Sequence, residues 1–173
     1  MITWLPETLL GTRGRLALSH TPGARRDSRD AELDQFAMEG VQHVLCLQEP
    51  HELGLLRSPE TLDERRSAVE ARGMRFTHEP IPDMEAPSLA HAQRIVAALH
   101  DELTRGRNVL VHCWAGLGRA GTIAACVLIN EGHGPQLAVA LLREVRPGAV
   151  QSLLQERLVK QYADALRNLR SIG

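Results

Sequence analysis

Asn108-Val109-Leu110-Val111-His112-Cys113-Trp114-Ala115-Gly116-Leu117-Gly118-Arg119-Ala120-Gly121-Thr122 is the stretch on which the fold and the chemistry both turn. It opens with a short apolar run, Val109 to Val111, of strand character, and it closes where a long apolar helix begins. Five residues separate Cys113 from Arg119. A loop of that length between a strand end and a helix start can curl so that successive backbone N–H groups point inward as an anion nest. The helix aims its positive end at the same point, and Arg119 adds a full charge on a planar fork. Gly116 and Gly118 give the backbone the freedom such a curl demands. The arrangement suits a tetrahedral oxyanion held over Cys113. It also favours the thiolate, which is the nucleophilic form of a cysteine. The same donors would hold the equatorial oxygens of a transferring phosphoryl group.

Working outward, Arg119 to Asn130 is apolar almost all round, the mark of a helix buried on every side. Upstream, Ser88 caps a helix whose apolar positions Ala92, Val96, Leu99 and Leu103 recur at helical spacing. Arg75 to Ile81 reads as a strand leading into the loop Pro80-Ile81-Pro82. Thr61 to Glu64 is a capping box for a helix reaching Arg72. Val41 to Leu47 is a strand, and Glu49-Pro50-His51 starts a loop. Ser28 or Asp30 caps a helix to Glu39, closed by Gly40. Leu16-Ala17-Leu18 is a first short strand, and residues 1–14 read as irregular. Downstream, Pro135 opens one helix, and a last helix runs from about Ser152 to Leu169. Alternation of this kind predicts an α/β fold with a mainly parallel central sheet flanked by helices. Ligands in such sheets bind at the carboxyl ends of the strands, where Cys113 falls.

The 173 residues fit a single domain, 1–173, long enough for a full core. A net charge of -1 gives no global field to recruit nucleic acid or an anionic membrane. No apolar run approaches the ~20 residues of a membrane span. The first residues lack a basic region followed by an apolar core, so no signal peptide is expected. Arg25, Arg26 and Arg29 follow the turn Thr21-Pro22-Gly23. They read first as a solvated loop, with attraction of a phosphorylated partner as the alternative. The three cysteines, Cys46, Cys113 and Cys126, have neither disulfide-framework spacing nor a CxxC pair, so no zinc site is expected. A reducing, cytoplasmic setting fits them. Cys126 reads as a core residue. So does Cys46, with a reversible disulfide to Cys113 under oxidation as its alternative.

Val111 to Thr122 resembles the signature of the cysteine-based protein tyrosine and dual-specificity phosphatases, with His112, Cys113, Gly116, Gly118, Arg119, Gly121 and Thr122 in register. The wider chain is similar to the kinase-associated phosphatase branch at Trp4-Leu5-Pro6, Leu16 to Gly23, Pro80 to Asp83, Leu117 to Cys126 and Gly148 to Gln151. The resemblance implies the protein tyrosine phosphatase-like fold and hydrolysis of phosphotyrosine, phosphoserine or phosphothreonine through a phosphocysteine. Cys113 would be the nucleophile, and Arg119 the phosphate clamp. His112, Trp114, Ala115, Gly116, Leu117 and Gly118 would complete the substrate-binding loop. A general acid is required because an unprotonated leaving oxygen departs slowly. The residues alone leave Asp83 and Glu85 both open; the resemblance selects Asp83. It also places Gln151 where a glutamine orients the hydrolytic water. No metal or cofactor is implied. The partner implied is a phosphorylated protein, a kinase among the candidates, and the protein is expected to be a monomer.

The chain departs from the pattern at Ala120, where related enzymes carry Ser or Thr. That hydroxyl assists the cysteine as a leaving group, so breakdown of the phosphocysteine should be slow here. A phosphate-binding module that recognises a phosphoprotein without turnover is therefore the competing class. Intact Cys113 and Asp83 weigh against it. The loop positions Trp114, Ala115 and Leu117 carry no extra cations, which argues against a polyphosphorylated lipid substrate.

Overall fold

A computed structural model describes residues 2–25 and 27–172. Arg26, one of the three arginines noted above, lies outside the described residues. Among the described residues five strands form one sheet: β1 (Thr3–Trp4), β2 (Leu16–His20), β3 (His43–Cys46), β4 (Arg75–His78) and β5 (Val109–Cys113). Their order is β1-β2-β5-β3-β4, with β1 antiparallel to β2 and the other pairs parallel. The helices are α1 (Arg29–Met38), α2 (Pro50–Leu53), α3 (Leu62–Glu70), α4 (Leu89–Thr104), α5 (Gly118–Asn130), α6 (Pro135–Val145) and α7 (Leu153–Ile172).

The unbroken apolar run at the start of β5 marks a strand buried on both faces, and every residue of β5 is buried. Apolar side chains of α4, α5, α6 and α7 cover one face of the sheet. Those of α1 and α3 cover the other. Every residue of α5 from Gly118 to Ile129 is buried, as its all-round apolar sequence predicts. At about 1.5–3 kcal/mol for each large apolar side chain, this helix is a main prop of the fold, and its first turn carries Arg119.

Two stretches differ from the sequence reading. Residues 1–14 are not wholly irregular, because Thr3–Trp4 adds an antiparallel edge to β2. Two residues are too few to show a periodic pattern. The stretch from Glu49 is not a loop but opens the short helix α2. Glu49 caps it, Glu52 closes a capping box, and Pro50 takes the first turn. A capping box built on Glu instead of Ser or Thr hides this start.

Cys46 lies level with His112, one residue short of Cys113. Side chains alternate across a sheet, so Cys46 packs on the α1–α3 face and Cys113 on the α4–α7 face. Burial pushes the Cys46 thiol up to about 11, and that of Cys126 higher still. Both behave as packing residues.

Candidate active site

Cys113 ends β5 at 2% exposure, and its register partner on β2 is His20. Between Cys113 and α5 the chain bends tightly, with Gly116 at φ +71. A Cβ on Gly116 would sit 2.2 Å from the Ser19 carbonyl oxygen, so the apex of the loop lies directly on the end of β2. No residue with a side chain fits there.

Four consecutive carbonyls of the loop are held outward. Trp114 O accepts from Thr21 N at 3.1 Å. Ala115 O and Gly116 O accept from the Arg146 guanidinium at 3.2 and 2.6 Å. Leu117 O accepts from Gly121 N at 3.1 Å and Val150 N at 3.2 Å. In a planar trans peptide the N–H points opposite to the C=O. The amides of Ala115, Gly116, Leu117 and Gly118 are thereby turned to the inner side of the curl, an arrangement suited to an anion nest. The helix α5 begins at Gly118 and adds its dipole.

The Arg119 side chain is 1% exposed and held on three sides. Its Nη1 and Nη2 donate to the two oxygens of Glu52 at 2.6 and 2.8 Å, a bidentate pair. Nη1 also donates to Ile81 O at 2.9 Å. Nη2 lies 2.9 Å from Asp83 Oδ1. Burial opposes the charge, but the Glu52 hydrogen bonds, Cys113 and Asp83 outweigh it, and the guanidinium pKa lies above its ordinary value. Asp83 itself is 63% exposed. Its loop is anchored by Ile81 N to Leu47 O at 3.0 Å and turned by Glu85 N to Pro82 O at 3.2 Å. Of the two acids left open by the residues alone, Asp83 is the one whose carboxylate reaches Arg119.

His112 is fully buried beneath the loop. Burial first, and then the charge of Arg65, hold its pKa well below the usual histidine value, so the ring is neutral. A hydrogen bond to the Cys113 backbone ties the ring to the base of the loop. Trp114, Ala115 and Leu117 are half-buried at the surface of the loop, whereas Gly116 and Gly118 are buried. Thr122 Oγ1 donates to Gly118 O at 2.7 Å, inside its own helix; it is committed there. Ala120 is fully buried.

Gln151 stands over the loop–helix junction, its Oε1 2.8 Å from where a Gly118 Cβ would lie. The residue before it, Val150, has φ 60, and the residue after Asp83, Met84, has the same value. Positive φ is a strained conformation for a β-branched side chain, costing about 1–3 kcal/mol. Val150 is held in it by its N–H on Leu117 O and by Arg143 Nη2 on its carbonyl at 2.9 Å.

Sequence reasoning missed Glu52 and Arg146. Glu52 sits in the unrecognised helix α2. Arg146 stands just past the end of α6, the helix that Pro135 opens. Its Nη1 also donates to Thr3 Oγ1 of β1 at 2.7 Å. The signal available was an arginine at a helix end, whose charge the last turn favours; nothing in the pattern pointed it at the loop. Arg25 is exposed. Arg29 is tied to Glu60 at 2.8 Å.

A buried strand-end cysteine under a ring of inward amides and a clamped guanidinium defines a cysteine-based phosphatase. Comparison with known proteins agrees. A family model described as "Polymorphic toxin system, DSP-PTPase phosphatase" matches residues 21–133. The chain is 31% identical to cyclin-dependent kinase inhibitor 3 of Rattus norvegicus over 172 residues, covering 95% of this chain and 79% of the relative. Among solved structures, kinase associated phosphatase with its catalytic-site cysteine replaced by serine matches with a TM-score of 0.85 at 28% identity, over 96% of each chain. Tk-PTP in its active form matches with a TM-score of 0.75 at 29% identity, over 94% of this chain and 97% of that one. The chain belongs to the dual-specificity and tyrosine protein phosphatase family, and it is a protein phosphatase. No helix among the described residues is long and apolar enough to cross a membrane.

Proposed function

We propose that the protein hydrolyses phosphotyrosine or phosphoserine/threonine in two steps. Cys113 attacks phosphorus in line with the leaving oxygen, and the S–P bond forms as the P–O bond to the substrate breaks. Asp83 gives its proton to that departing oxygen. Asp83 then takes a proton from a water oriented by Gln151; the water attacks phosphorus, the S–P bond breaks, and phosphate leaves with Cys113 again a thiolate. Arg119 and the amides of 115–118 hold the equatorial oxygens through both transition states. Glu52 fixes the guanidinium, and Arg146 fixes the loop.

The observation that carries this reading is the set of four carbonyls held outward at Trp114, Ala115, Gly116 and Leu117. With their carbonyls so held, the four amides that follow are free to serve one anion above Cys113, beside the Arg119 guanidinium that Glu52 fixes. The family supports a phosphorylated kinase as partner, since the relatives are named a cyclin-dependent kinase inhibitor and a kinase associated phosphatase. A cytoplasmic, monomeric single domain is part of the same proposal. The test is turnover of an aryl phosphate by the wild type and by Cys113→Ser. Loss of activity in the variant is expected; equal rates would refute the nucleophile assignment.

A further inference from the structure

We propose that Gln155 is a positioning residue that latches the Asp83 loop over the site. The sequence around it, Ser152-Leu153-Leu154-Gln155, is a capping box for α7, and that role alone would account for it. The box is formed: Gln155 N donates to Ser152 Oγ at 3.2 Å, and Ser152 N donates to Gln155 Oε1 at 3.2 Å. Two features go beyond a cap.

The side chain is 1% exposed, although capping residues normally stand at the surface. Its amide also links three separate pieces. Oε1 accepts from Gln151 N at 2.8 Å. Nε2 donates to Glu85 O at 3.1 Å, seventy residues away in the Asp83 loop. Nε2 and Oε1 lie 2.9 and 3.1 Å from where a Gly118 Cβ would be, so the amide rests on the first residue of α5. The strained residues Met84 and Val150 flank the two ends of this bridge. Apart from it, the exposed end of the Asp83 loop is tied by its own Pro82–Glu85 turn and by Asp83 on Arg119. Gln155 thus fixes the distance between Asp83, Gln151 and the loop that holds the anion.

This inference rests on Asp83 being the general acid, and the experiment separates the two. Gln155→Glu keeps the capping box, which Glu and Gln fill equally. It replaces the Nε2 donor with an oxygen facing the Glu85 carbonyl and so breaks the latch, while its added charge weakens phosphate binding for both esters alike. The readout is kcat/KM on phenyl phosphate, whose leaving group needs a proton, and on 2,4-dinitrophenyl phosphate, whose leaving group does not. Gln155→Glu is expected to lower the first roughly tenfold more than the second. Gln155→Met, which loses cap and latch together, should show the same selectivity and stands in should the Glu variant fold poorly. Combined with Asp83→Asn, the Gln155 change should add no further selectivity, because both act through one proton. Equal losses on both esters, or none, with Asp83→Asn still selective, would overturn the latch and leave the acid in place. Equal losses in Asp83→Asn itself would overturn the acid assignment, and the latch with it.

Discussion

The loop from Cys113 to Arg119 and the loop from Pro80 to Ala86 meet at the Arg119–Asp83 contact, yet they are built in opposite ways. The first is mostly buried, and its carbonyls and its arginine are held by other parts of the fold. Thr21, Arg146, Gly121 and Val150 hold its carbonyls, the end of β2 closes on Gly116, and Glu52 clamps Arg119. The second is exposed, and its ties are few: Leu47, one internal turn, Arg119 and Gln155. The difference suits the roles proposed for them. Donors that stabilise an anion act best when oriented beforehand in a site closed to water. A residue that passes a proton to a departing group and then takes one from an entering water needs room for both.

That contrast implies two classes of defect. A change in the Cys113–Arg119 loop should slow every phosphate ester alike, whereas a change in the Asp83 loop should slow only esters with poor leaving groups. The largest effect is expected for Arg119→Lys, which loses the bidentate fork. Its kcat/KM should fall roughly a thousandfold on activated and unactivated aryl phosphates equally; a loss confined to one ester would break the contrast. Asp83→Asn should cost about a hundredfold on phenyl phosphate and much less on the dinitrophenyl ester.

Ala120→Ser is a smaller change and should act in the other direction. Rapid mixing of the wild type with an activated aryl phosphate should give a burst of phenolate, since phosphocysteine breakdown lacks its usual hydroxyl. The Ser variant should raise the steady-state rate a few-fold, on the order of a hydrogen bond of ~1 kcal/mol, and shrink the burst. Equal rates with no burst in either protein would sink this idea.

The smallest expected effect concerns pH. Burial holds His20, His43 and His112 below the ordinary histidine value, and His20 and His112 lie under the Cys113 end of the sheet. In the unfolded chain they take up protons near pH ~6.5. The stability they contribute is therefore complete above that pH and is lost as pH falls through their lower folded values. Thermal unfolding followed from pH 7.5 to 5 should show the midpoint declining, and His43→Gln should flatten part of the decline. An unchanged slope in that variant would remove His43 from the explanation.

Much of this was legible in the sequence because the features are local. Val109 to Thr122 encodes strand, curl and buried helix within one window, and the alternation of elements yields the mainly parallel sheet. What escaped was long-range. Glu52 reaches Arg119 across 67 residues and Arg146 reaches Gly116 across 30, and no periodicity records such a partnership. β1 was too short to carry a pattern. Asp83 could not be separated from Glu85 by residue type. The choice came from family resemblance, and in the fold Asp83 is the acid that meets Arg119 at 2.9 Å.

The central claim is that Cys113 carries the phosphoryl group between the two steps. Acid quench of wild type turning over an activated aryl phosphate, followed by peptide mass analysis, tests it directly. A phosphoryl adduct on the peptide containing Cys113, absent from Cys113→Ser, is the expected result, and the slow breakdown attributed to Ala120 should make it abundant. Steady turnover with no adduct on that peptide, or an adduct on any other residue, would contradict it.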